Sequence, residues 1–241
     1  KLHIMKIIII AIAALLGMQS LSASTEKTAY QKSPVEIIIG KHIIRFTTPP
    51  KRIPNQCSVD APLLGNGFTG VDLSGNPESQ VFYVARNDFW RLESALDESF
   101  PLVLGKIELS IPQLKDASYL VEQRLYDAVT IAHFNKGMQS VSYKVYVPAT
   151  EDMLIIEIKM EGEGTLDGSV RLSLPGVNET VNNPPLERVF PDIRENEVTP
   201  EGIFYLSRAF KDSVDIPTKA AMALSVTNAP NGKFQLKSGK T

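Results

Sequence analysis

Apolar and polar residues alternate strictly through much of the second half of the chain. Val141, Tyr143, Val145 and Val147 alternate with Ser142, Lys144 and Tyr146, and Leu154, Ile156, Ile158 and Met160 alternate with Glu157, Lys159 and Glu161. Val170, Leu172 and Leu174 continue the same rhythm. A period of two places one row of side chains on a core and the other toward water. Turn chemistry separates these runs, at Asn135-Lys136-Gly137, at 148–152 and at Glu161-Gly162-Glu163-Gly164. Further strand signals fall at 102–111, 119–126 and 128–134 upstream, and at 202–210, 219–227 and 233–236 downstream. The stretch 175–200 holds Pro175, Pro184, Pro185, Pro191 and Pro200 without periodicity and reads as a long connection. No long helical period interrupts the series. The pattern predicts an all-β fold, a large antiparallel β-sandwich.

The first 46 residues read differently. Met5-Lys6 followed by the apolar run IIIIAIAALL has the charged and apolar regions of a secretory leader, and Leu21-Ser22-Ala23-Ser24 offers small residues for cleavage. Residues 1–23 are therefore expected to be a signal peptide, 24–34 a polar lead, and 35–241 one domain. The apolar run is too short to span a bilayer as a helix, so the mature protein is expected in the periplasm or outside the cell, not in a membrane. The β-branched runs 35–39 and 42–46 flank Gly40-Lys41 and predict a β-hairpin. The prolines of 47–54 then force an extended connection.

That connection leads to the most informative stretch, APLLGNGFTGVDLSGNPESQVFYVARNDFWR at 61–91. Glycines 65, 67 and 70 suit backbone angles or close approaches that a side chain would block. Ser74-Gly75-Asn76-Pro77 makes a second turn, and Val81, Phe82, Tyr83 and Val84 read as a buried strand. The strand runs into Asn87-Asp88-Phe89-Trp90, which contains the chain's single tryptophan, and a loop is expected over 92–101.

Pro62, Gly65, Asn66, Gly67 and Gly70, followed by Asn87, Asp88 and Trp90, resemble the start of the N-terminal domain of glycoside hydrolases of family 95, of family 65 and of a bacterial group close to them. Leu64 is an extra residue relative to that pattern, and Asn87-Asp88-Phe89-Trp90 is spaced as in the bacterial group. The resemblance implies a super-sandwich that packs against a helical (α/α)6 barrel carrying the catalytic carboxylates. It also implies a further strand after Phe234–Gly239, so this chain is expected to lack its last strand and the barrel, and to be inactive alone. Asn66, Asn87, Asp88 and Trp90 become candidate binding residues, lining the junction with the barrel or touching carbohydrate.

Composition narrows the alternatives. A net charge of −2 without basic runs points away from nucleic acid. Cys57 stands alone, and His42 and His133 lie apart from other ligand types, so neither a disulfide within the chain nor a metal site or other cofactor is expected. Glycoside hydrolysis needs two carboxyl groups flanking the scissile bond. Asp88, Glu93, Asp97 and Glu98 are the carboxylates that share a neighbourhood, and Asp88 reads either as an acid or base beside a sugar-stacking Trp90, or as the partner of Arg86 or Arg91 while Trp90 fills the core. The second of these agrees with the resemblance. Asn66 reads as a turn residue bonding its own backbone. A free-standing carbohydrate-binding or adhesion module, with Tyr126, Tyr146 and Tyr205 as a stacking platform, is the alternative function.

Overall fold

The computed structural model of the protein describes residues 5–10, 32–52, 59–93, 98–174, 192–210 and 218–238. Among them run fifteen strands in two antiparallel sheets. In chain order these are β1 (Met5–Ile10), β2 (Ile43–Phe46), β3 (Leu63–Gly65), β4 (Thr69–Asn76), β5 (Ser79–Glu93), β6 (Glu98–Ser110), β7 (Ser118–Arg124), β8 (Val129–Lys136), β9 (Gln139–Tyr146), β10 (Met153–Glu161), β11 (Thr165–Ser173), β12 (Asp192–Val198), β13 (Phe204–Phe210), β14 (Lys219–Val226) and β15 (Lys233–Lys237). One sheet has the order β12-β13-β14-β1-β10-β9-β8-β7-β2 and the other β15-β11-β6-β5-β4-β3.

The alternation seen in the sequence becomes burial. Leu154, Ile156, Ile158 and Met160 of β10 and Val141, Tyr143 and Val145 of β9 are buried, and they share one core with Leu73, Phe82, Ile107, Leu109 and Leu172 of the second sheet. Two half-buried sheets thus close one apolar layer between them. Tyr143 and Phe134 meet edge-on within it, ring centroids 5.4 Å apart, and partly buried Tyr119 packs on Phe134 at a tilt, 5.5 Å away.

Four expectations are corrected. Val35–Ile39 is not a strand: Pro34–Ile39 forms a short helix, α1, and β2 pairs with β7 instead. Local capping decides this. The Ser33 hydroxyl accepts the Glu36 amide at 3.0 Å and Pro34 occupies the first turn. The connection expected over 175–200 contains β12, and the loop expected over 92–101 is shortened by the ends of β5 and β6. Tyr205 stands apart from the expected tyrosine platform: it lies on β13, four strands from Tyr146 on β9, while Tyr126 sits in the turn after β7. The expectation for Cys57, and most of those for the leader and the polar lead, fall on residues outside those described. The backbone of Met5–Ile10 is described, as a strand between β10 and β14.

Candidate functional site: the β4–β5 corner

The Gly-Asn-Gly turn joins β3 to β4. Gly67 has φ of 94°, a left-handed conformation that suits glycine, and a Cβ on Gly65 would stand 2.6 Å from the Thr69 carbonyl oxygen. Between them Asn66 uses its whole side chain. Its Oδ1 accepts the amides of Phe68 at 3.0 Å and Thr69 at 2.9 Å, closing the turn as expected. Its Nδ2 donates to the carbonyls of Pro148 and Glu151, both at 3.1 Å. Those two carbonyls lie between β9 and β10, in the other sheet. Asn66 therefore ties the two sheets together.

Beside it, β5 departs from its ladder. Ala85 pairs with Val103 and the next pair is Trp90 with Pro101, so Arg86–Phe89 bulge out opposite a single residue. The bulge turns Phe89 fully into the core, where its ring lies 5.4 Å from the guanidinium carbon of buried Arg208. Phe89, and not Trp90, fills the core here, and Trp90 is half-buried. Its Nε1 donates to the Asn87 carbonyl at 2.5 Å, and Asn87 Nδ2 donates to the Gly67 carbonyl at 2.7 Å. The Asn87 amide reaches the Phe68 carbonyl at 2.9 Å, which fastens the bulge to the Gly-Asn-Gly turn.

Arg86 is the electrostatic centre. Its Nε and Nη2 grip both oxygens of Asp88, at 2.8 and 3.0 Å, while Nη1 meets Asp152 Oδ2 at 2.5 Å. The other oxygen of Asp152 accepts the Thr69 hydroxyl at 3.2 Å. The bond from Arg86 holds Asp88 below the usual carboxylate range, and the bonds from Asp88 and Asp152 hold Arg86 above its ordinary value. A carboxylate kept ionised in this way is a poor proton donor near neutral pH. Asp88 with Asp152 is a pair clamped on one guanidinium, not an acid and base facing an open gap.

The structure thus brings Asn66, Asn87, Asp88 and Trp90 into one corner. Glu93, Asp97 and Glu98 have side chains outside the description. Sequence reading missed Asp152, which is 66 positions from Arg86, and Phe68, which is 60% exposed at the tip of the turn. Phe68 did carry a signal, because a large aromatic in a glycine-rich turn has no core to enter. Among the described residues, no group of three His, Cys, Asp or Glu could hold a metal ion, and no helix is long and apolar enough to cross a membrane. No protein-family model matches the chain, and no curated protein matches it.

Proposed function

We propose that this chain is the non-catalytic N-terminal super-sandwich domain of an exported glycoside hydrolase, docking through the β4–β5 corner onto a helical catalytic domain. The observation that carries the reading is the corner itself. Two inter-sheet ties, Asn66 to the 148–151 carbonyls and Arg86 to Asp152, immobilise a surface that presents exposed Phe68 beside Asn87 and Asp88. A rigid apolar anchor within a polar rim suits a permanent contact with another domain. The clamped state of Asp88 agrees with catalytic carboxylates lying elsewhere.

The test is hydrolysis of a panel of oligosaccharides by the full-length, leader-free protein. Asp88→Asn is expected to keep turnover within about tenfold, because a general acid or base contributes roughly a hundred- to ten-thousandfold and Asp88 is neither. A thousandfold loss with an unchanged fold would make Asp88 catalytic and overturn the reading. A free-standing carbohydrate-binding module is favoured by one separate observation. An open cleft of about 660 Å3 at the β11–β15 edge is lined by Asp167, Ser169, Asn228, Lys233, Phe234 and Gln235. Glycan-array binding by the full-length protein that disappears in Gln235→Ala would support that alternative.

A further inference from the structure

We propose that, in the exported protein, the slot between β10 and β14 belongs to a strand that follows β15 in the same polypeptide. The inference rests on reading residues 1–23 as a leader, because Met5–Ile10 holds that slot here. β1 pairs with β10 from Met5↔Ile158 to Ile10↔Met153, and with β14 from Ile7↔Val226 to Ile10↔Ala223. Loss of the leader removes a strand from the interior of a nine-stranded sheet. It leaves two facing rows of unpaired amides and carbonyls, which is an acceptor site for an added strand.

The slot does not close well on itself. β10 and β14 are each antiparallel to β1 and so parallel to one another. Joining them would create a parallel ladder in an antiparallel sheet and draw the two halves together by roughly 5 Å, one strand spacing. α1 does not fit either, despite its exposed Val35, Ile37 and Ile38. β2, which α1 precedes, lies five strand positions from the slot, roughly 24 Å, and the four steps from Ile39 to Ile43 reach only about 14 Å.

Direction and position single out the chain after β15. The three residues Gly162–Gly164 carry the chain from β10 in one sheet to β11 in the other, and fold it back. β15 is antiparallel to β11, so it runs the same way as β10, on which it packs across the core. A strand that turns back from β15 into the first sheet runs opposite to β10, as the slot requires. The ends also meet. Lys237 pairs with Thr165, just past the Gly162–Gly164 turn, and the slot begins beside Ile158 near the end of β10. Ser238-Gly239-Lys240-Thr241 follows, a polar stretch with one glycine. It is long enough to cross the roughly 10 Å between packed sheets.

The register specifies the occupant's chemistry. Its first, third and fifth residues stand opposite Ile158, Ile156 and Leu154, each at most 1% exposed, so these three are large and apolar. The remaining positions face the outer surface of β10, where Glu157 lies.

Hydrogen exchange of the exported, full-length protein tests this, with intact mass measured on the same sample. The expected result is a mass lacking residues 5–10 together with slow exchange at 153–160 and 223–226. A synthetic peptide of sequence IMKIIIIA should leave that exchange unchanged. Shortening the leader-free protein at Thr241 is expected to speed exchange in both strands by about a hundredfold or more, or to prevent folding, and the peptide should restore protection or refolding yield. A mass retaining residues 5–10 overturns the leader reading and this proposal with it. If the leader is absent, fast exchange in the full-length protein overturns the choice of occupant alone. So does protection that vanishes on dilution with dissociation of a dimer, which would assign the slot to a second copy. Full protection in a monomeric short form without peptide shows that the slot closes by itself.

Discussion

Replacing Asp72 by Asn is expected to stabilise the domain by about 2 kcal/mol at pH 8 and to leave it no more stable at pH 4. Asp72 sits on β4, in the strand that follows the Gly-Asn-Gly turn, and is only 5% exposed. Its Oδ1 accepts the Ser74 hydroxyl at 2.5 Å, and its buried Oδ2 has no hydrogen-bond partner. Burial pushes the carboxyl up to about 6 against the bond from Ser74, and the negative charge of Asp60 adds to the rise. The folded state therefore holds this proton more tightly than the unfolded chain, whose ordinary value is 3.8. The favourable contribution is complete below pH 3.8 and is lost as pH rises through 6. A shift of this size amounts to about 3 kcal/mol. Asparagine abolishes the titration, and its buried amide takes back about 1 kcal/mol of the gain because it too lacks a partner. Urea unfolding of the two proteins at pH 4 and pH 8 reads the effect as profiles that converge in acid and separate in base. Parallel profiles would show that Asp72 is not buried as a charge. Asp88 works in the opposite sense, its stabilisation present at neutral pH and lost in acid, but its exposure keeps that contribution small.

The second large effect is expected from Asn66→Ala, a loss of about 3 kcal/mol. Four hydrogen bonds disappear, each worth roughly 0.5–1.5 kcal/mol net. Two of them close the turn and two reach the opposite sheet. Asn66→Asp separates these contributions. It keeps the acceptor for Phe68 and Thr69 but turns a second oxygen toward the carbonyls of Pro148 and Glu151. If the inter-sheet tie matters, aspartate at pH 7 is as harmful as alanine. If only the turn matters, aspartate behaves like the parent in urea unfolding, and the account of the corner as a tie between sheets fails.

What the sequence revealed follows a physical division. The alternation in β9, β10 and β11 is a local signal of a global fact, because a period of two needs no knowledge of the partner strand. The corner was half legible for the same reason. Glycines 65 and 67 and Asn66 announce a tight turn from their own backbone needs, and Asp88 lies two residues from Arg86. Asp152 was not legible, since nothing local says which distant carboxylate completes the clamp. Val35–Ile39 failed differently: its β-branched residues favour a strand, but Ser33 and Pro34 cap a helix turn. Met5–Ile10 shows the limit of composition, for an isoleucine run suits both the core of a leader and a buried strand.

The central claim is that the corner faces another domain, and position 68 tests it most directly. Phe68 is replaced by p-benzoylphenylalanine in the full-length, leader-free protein, which is irradiated, digested and mapped by mass spectrometry. The proposed docking predicts a cross-link from position 68 to helical polypeptide that follows this domain, and loss of that link when the downstream domain is removed. Cross-links confined to residues 24–241, or none at all while the protein remains folded and active, would contradict it.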